Sequence, residues 1–247
     1  MIFENECIDD LQINNLQIIQ KTNGFKFGID AVLLSDFAKN APSKRTLDLC
    51  TGTGIIPILL SAKTKTAHIH GLEIQSEICD MAKRSVTHNK LDERVHIDEG
   101  DLKNACELYG KCSFDKITCN PPYMECGKGI INSSDTLTIS RHELKCTLED
   151  VIRISSQLLV QKGHFFMVHR PSRLADIMCL MRKYRIEPKT LRFVHPSVFK
   201  APNLLLVEGV RCGGKELKLL DPLYVYNEDG TYTEEIDIIY NRKEECN

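Results

Sequence analysis

Thr46-Leu47-Asp48-Leu49-Cys50-Thr51-Gly52-Thr53-Gly54 is the stretch from which the rest of the chain can be read. Thr46–Cys50 reads as a strand, and the spaced glycines after it let the backbone approach a ligand that a Cβ would exclude. A helix follows from about Ile55 to Ser61, with Pro57 in its first turn, where a missing N–H does no harm. Strand, glycine turn and helix together make a nucleotide-cofactor turn. The dinucleotide fingerprint would require a further glycine at position 57, so Pro57 disfavours NAD.

Outward from this turn the chain alternates. Strands are expected at Ala67–Ile74, Arg94–Asp98, Phe114–Cys119 and Phe165–Val168, the last introduced by Gly163. Helices are expected at Ser76–Asn89, Leu148–Val160 and Arg173–Tyr184. Strands Thr190–His195 and Leu204–Val210 follow, joined around Pro202-Asn203 as an antiparallel pair. Such alternation predicts an α/β protein with a doubly wound, mostly parallel sheet ending in an antiparallel hairpin. Upstream, Gly28 supplies a tight turn and Asp30 an N-cap for a helix running through Phe37. Residues 1–20 carry no clear punctuation. Residues 124–140 form a long polar stretch, of the length found in functional lids or disordered segments.

Chemistry concentrates at strand ends. Glu73 closes the second strand of the alternation, where an acid accepts hydrogen bonds from both ribose hydroxyls, and Asp101 follows the third, where it can accept from an adenine amino group. Each acid alone reads as a loop cap; three acids after three successive strands, with Gly52 and Gly54 between, point to a bound nucleoside. Cys119-Asn120-Pro121-Pro122-Tyr123 then ends the strand from Phe114. Two prolines cannot extend a sheet or enter a helix interior, so the backbone is held stiffly at the strand's carboxyl end. Asn120 and the Pro121 carbonyl can accept from an exocyclic NH2, and Tyr123 can stack on its ring.

The 247 residues are 42% hydrophobic and 27% charged, ordinary for one globular domain. No run approaches the ~18 apolar residues of a membrane helix, and Met1–Asp10 is acidic, without the basic start of a secretory signal. Eleven scattered cysteines without a Cys-x-x-Cys pair predict reduced thiols in the cytoplasm, and their spacing argues against zinc or any other metal. The net charge is −2, but Arg170–Lys200 holds eight basic residues against two acidic ones. That segment can be a phosphate-binding face or a solvated helix face.

Asp48-Leu-Cys-Thr-Gly-Thr-Gly, Glu73, Asp101 and Asn120-Pro-Pro-Tyr together resemble the class I S-adenosylmethionine-dependent amino-methyltransferases. Further segments extend the likeness to bacterial tRNA adenine-N6 methyltransferases acting on adenosine 37 of a valine tRNA. They are Phe-x-Phe-Gly-x-Asp-Ala at 25–31, Arg141-His142-Glu143, His169-Arg170-Pro171, Asn203–Gly209 and Pro222-Leu-Tyr-Val-Tyr-Asn. Cys50 departs from the glycine of many relatives.

The resemblance implies a seven-stranded Rossmann-like sheet over 41–247, with 1–40 closing the cofactor pocket of a single compact domain. It implies S-adenosyl-L-methionine held by Phe27, Asp48, Cys50, Thr51, Gly52, Gly54, Glu73, Ile74, Asp101, Leu102 and Asn120. It implies catalysis by Asn120, Pro121 and Tyr123. A tRNA substrate would be met by Pro122, Tyr123, Arg141, His142 and Arg170, and the protein would act as a monomer or weak homodimer away from membranes. His169 and His195 read as structural histidines. A glutamine N5-methyltransferase, a DNA adenine methyltransferase and a non-catalytic cofactor-binding RNA adaptor remain open alternatives at this point.

Overall fold

Thr46, Leu47, Asp48 and Leu49 are all buried, so the strand that contains them is covered on both faces, as the middle of a parallel sheet must be. In the computed structural model, which describes residues 2–23, 28–122 and 146–243, this is β3 (Arg45–Leu49). It runs parallel to β4 (His68–Glu73) on one side and to β6 (Phe114–Cys119) on the other. Beyond β4 lies β5 (Val95–Glu99), and beyond β6 lies β7 (Leu159–His169), both parallel. β9 (Leu204–Arg211) then pairs antiparallel with both β7 and β8 (Ile186–His195). The seven long strands are thus ordered β8-β9-β7-β6-β3-β4-β5, the mostly parallel seven-stranded sheet that the resemblance implies. Two-residue strands β10 (Lys218–Leu219) and β11 (Leu223–Tyr224) add to the β8 edge.

The period-2 alternation of the strands divides the core in two. Phe166, Val168, Leu204 and Leu206 face α1 (Ile29–Phe37), α2 (Ile55–Lys63) and α3 (Ser76–His88). Phe165, Met167, Leu205 and Val207 face α5 (Leu148–Leu158) and α6 (Leu174–Lys183) across the other side, beside the short α4 (Ala105–Tyr109). Thr147 caps α5 with a reciprocal capping box to Asp150, which gives that helix a sharp start.

Several boundaries differ from expectation, each for a physical reason. α5 stops at Leu158, and β7 begins at once and runs eleven residues, because no glycine or proline separates them and pairing with β6 captures Leu159. β8 starts at Ile186, ahead of Pro188, because an irregularity between Pro188 and Thr190 accommodates a residue that cannot donate. Asp30 is not the N-cap of α1: Gly28 holds that position, and Asp30 lies inside the first turn.

Residues 1–20 are not featureless. β1 (Glu6–Asp10) and β2 (Gln17–Lys21) form an antiparallel hairpin fastened to α3, with Ile19 N donating to Ser85 Oγ and Arg84 paired to Glu6. The acidic C-terminal stretch also has a structural use. Thr233 caps α7 (Glu234–Ile239), Ile236 and Ile239 join the core beside α1, and Glu235 makes a two-pronged pair with Arg192 of β8.

Candidate active site

At the carboxyl end of β3 the chain turns through left-handed conformations at Cys50 (φ 57°), Gly52 (φ 57°) and Gly54 (φ 84°). Gly54 has a second reason to lack a side chain, since a Cβ there would sit 3.2 Å from the Ala82 Cβ of α3. The turn is braced from the neighbouring strand: Thr51 N donates to Leu72 O at 3.0 Å, and Gly52 N donates to Glu73 Oε2 at 2.9 Å. Glu73 Oε1 accepts from Gln75 N at 3.0 Å. One buried carboxylate therefore ties the β3–α2 turn to the β4–α3 turn; Oε1 also accepts from Gln75 Nε2 at 3.4 Å, and Oε2 retains a further lone pair.

Asp48 has 0% exposure. Its Oδ1 accepts from Thr118 Oγ1 of β6 at 2.6 Å, while Oδ2 has no hydrogen-bond partner among the described residues. Burial pushes its carboxyl up from 3.8 to about 7, with repulsion from Glu73 acting in the same direction. An orphaned buried carboxylate oxygen beside a glycine turn is suited to a ligand that brings a cationic amine. Thr51 Oγ1, also buried, is a second polar atom there without a hydrogen-bond partner among the described residues.

Asn120 leaves β6 on the same edge of the sheet, because Cys119 pairs with Leu49 and the next residue of each strand enters its loop. Pro121 is buried and Pro122 exposed. The Asn120 side chain reaches across to the N-terminal part of the chain, where its Nδ2 donates to Asp30 Oδ2 at 3.2 Å. The sequence reading did not pair these residues; an acid in the first turn of an apolar helix was the available signal. Thr118, the partner of Asp48, was likewise missed, although a threonine on the inward face of a central strand marks a polar contact.

Asp101 N-caps a short 3-10 turn, its Oδ1 accepting from Lys103 N at 2.9 Å, and Leu102 beside it is buried. Ile74 is half-buried at the bend after Glu73. At the end of β7, His169 is buried, and its imidazole is held down to about 4 by burial, then by Arg173 and Arg170; it is neutral near pH 7. Its Nδ1 accepts from Arg170 N at 2.8 Å. Arg170 itself is exposed and donates to Asn203 O at 3.1 Å. His195 Nδ1 lies 2.7 Å from Lys200 O in the β8–β9 loop. The expectations for Phe27, Tyr123, Arg141 and His142 lie outside the described residues. Among the described residues, no group of three or more His, Cys, Asp or Glu could hold a metal ion, and no helix is long and apolar enough to cross a membrane.

This sheet order, with a glycine turn after β3 and Asn-Pro-Pro after β6, defines a Rossmann-like methyltransferase architecture. The crystal structure of a predicted O-methyltransferase from Agrobacterium tumefaciens superposes with a TM-score of 0.70 at 22% identity, covering 86% of this chain and 95% of that one. That of a geranyl diphosphate C-methyltransferase from Streptomyces coelicolor, in complex with S-adenosyl-L-homocysteine, gives 0.53 at 12% identity, covering 73% and 76%. The model of the methyltransferase small domain family matches residues 26–183, and the chain belongs to that family. A curated relative from Porphyromonas gingivalis, named tRNA1(Val) (adenine(37)-N6)-methyltransferase, is 28% identical over 207 residues, which is 81% of this chain and 80% of the relative.

Proposed function

We propose that this methyltransferase uses S-adenosylmethionine to methylate the N6 amino group of an adenine in tRNA, specifically adenosine 37 of a valine tRNA. The observation that carries the reading is the meeting of two loops: the glycine turn with Asp48 Oδ2, unpartnered among the described residues, and Asn120-Pro121 beside it on the same sheet edge. The name of the Porphyromonas relative supports the choice of tRNA and of adenine.

Asp48, Cys50, Thr51, Gly52 and Gly54 would surround the methionine part of the cofactor, Glu73 and Ile74 its ribose, and Asp101 and Leu102 its adenine. Phe27 would close the pocket from the N-terminal side, within the segment 1–40. A cationic amine beside Asp48 would draw that carboxyl back to its charged form. Bound there, S-adenosylmethionine supplies an electrophilic sulfonium methyl that needs no further activation.

The protein's task is then to orient a poor nucleophile. Asn120 Oδ1 and the Pro121 carbonyl would accept from the adenine amino group and favour a pyramidal nitrogen with developing positive charge. The nitrogen becomes acidic as it gains charge, so its proton can pass to water without a strong base. Tyr123 would stack on the extruded base, with Pro122, Arg141, His142 and Arg170 along the RNA. The nine cysteines among the described residues are unpaired thiols, which supports a reducing compartment such as the cytoplasm.

The test is transfer of labelled methyl from S-adenosylmethionine into unmodified tRNA, with nucleoside analysis by mass spectrometry. N6-methyladenosine is expected in the wild-type digest. It should be absent with Asn120→Ala, while that variant's cofactor affinity stays within about threefold of wild type, a difference under 1 kcal/mol. Label in a protein glutamine instead of RNA would overturn the substrate assignment.

A further inference from the structure

We infer that Asp30 is a positioning residue for the acceptor motif: its carboxylate sets which end of the Asn120 amide meets the substrate amino group. The inference rests on the reaction proposed above for Asn120, but the contact behind it is independent of that reaction.

Asn120 Nδ2 and Asp30 Oδ2 are 3.2 Å apart across ninety residues of sequence. A carboxylate only accepts, so the amide must turn its NH2 toward Asp30; the opposite orientation would set two acceptor oxygens against each other. The sense of the amide is thus imposed by a partner and does not depend on substrate. It matters because the two ends of an amide have opposite effects on an amino group. Oδ1 accepts its hydrogens and supports the charge that grows on nitrogen, whereas an NH2 turned to the same place would repel it.

Asp30 is held firmly enough for this task. It stands in the first turn of α1, whose next residues, Ala31 to Leu34, are buried against the sheet and α2. Its other oxygen, Oδ1, accepts from Ala31 N at 3.1 Å. Gly28 leaves room for the carboxylate, since a Cβ there would fall 2.6 Å from Asp30 Oδ1. A rigid helix, a glycine clearing and a carboxylate aimed at a neighbouring motif make a preorganised support for a reacting group. Helix α1 therefore does more than cover one face of the sheet.

The experiment is a swap. Asp30→Ala, Asp30→Asn, Asn120→Asp and the double variant Asp30→Asn/Asn120→Asp are compared with wild type for kcat, for KM toward tRNA and cofactor, and for unfolding temperature. Asp30→Ala should lower kcat on the order of tenfold to a hundredfold, the range for a misplaced reacting group, with both KM values and the unfolding temperature little changed. Asp30→Asn retains an acceptor oxygen and should keep most of the activity. Asn120→Asp sets two carboxylates face to face and should be inactive. In the double variant the amide at 30 donates to the carboxylate at 120, and kcat should recover at least about tenfold over Asn120→Asp alone, a non-additivity that requires direct contact.

A second readout needs no turnover. The two side-chain amide protons of Asn120 should give separate, slowly exchanging NMR signals in the free wild-type protein and lose that protection in Asp30→Ala, or in Asp30→Leu should the alanine variant not fold. Amide signals unchanged by these substitutions, or a double variant no better than Asn120→Asp, would overturn the inference. Wild-type protein with protected Asn120 amide protons but no methylated RNA would overturn the reaction and leave the contact standing.

Discussion

Asp48 shows at the scale of one residue how a site can be costly to fold. Its carboxyl lies at about 7 in the folded protein, against 3.8 in an open chain; burial is the first cause, the hydroxyls of Thr118 and Thr51 oppose it, and Glu73 adds a smaller upward push. A carboxyl raised by folding holds its proton in the native state after the unfolded chain has released it. Its contribution to stability therefore falls as pH climbs from about 4 to about 7, and the loss persists above that window. Asp48→Asn keeps an acceptor for Thr118 and removes the charge. It should raise the unfolding temperature at pH 7.5 and flatten the decline between pH 4 and 7 relative to wild type, while weakening S-adenosylmethionine binding by about tenfold or more, the scale of one buried charged contact. Thermal scans across pH and calorimetric titration decide it; parallel pH slopes in the two proteins would remove the carboxyl from this account. The sequence made Asp48 visible as a strand-end acid. That Oδ2 has no hydrogen-bond partner among the described residues could be learned only from what packs around it.

At the scale of elements, β6 and α1 are joined by a buried lysine. Lys116 is fully buried, and its Nζ donates to Ala38 O, at the C-terminal end of α1, at 2.8 Å. A cation there complements the helix carbonyls, but burial still lowers the ammonium from 10.5 to about 8. A lysine lowered by folding destabilises the native state wherever the unfolded chain is still protonated. The cost is full below about pH 8 and is relieved as pH rises toward 10.5, so this group makes stability increase across that interval. Lys116→Met should remove that rise and be neutral to stabilising at pH 7, as is common when a buried charge gives way to an apolar side chain of similar volume. A clear loss of stability at pH 7, read from urea unfolding, would mean that the bond to Ala38 outweighs the desolvation. Within a run read as a buried strand, a lysine was an anomaly; its partner lies 78 residues away, beyond any pattern of spacing.

Over the whole molecule, the antiparallel turn of β9 brings the β8–β9 loop back to the sheet edge that carries Asn120. There Phe199 is 82% exposed, Lys200 stands beside it, and Arg170 holds Asn203 of the same loop. Phe199 and Tyr226 line a cavity of about 540 Å³, one wall of which carries Glu228. With strands about 4.8 Å apart, β8 lies roughly 14 Å from β6 along that edge, close enough for one RNA segment to reach both. Phe199→Ala should raise KM for tRNA several-fold or more, as loss of one base–aromatic stack worth about 1–3 kcal/mol would, and leave cofactor affinity unaltered. Equal KM values would put the RNA elsewhere.

What the chain determined by itself is local. Alternating apolar residues, the glycine turn after β3 and the prolines after β6 specify strands, turns and helices through neighbours a few residues apart, and with them the mostly parallel class of sheet. The hairpin β1–β2 escaped that reading because its short strands mix burial with polarity and are stabilised by α3, not by their own pattern. Only the tertiary structure decided that Asp30 meets Asn120, that Asp48 meets Thr118, and that the acidic C-terminal stretch closes on Arg192. Those contacts join segments distant in sequence, and burial of the apolar faces of the sheet and its helices is what brings their polar groups within reach of one another.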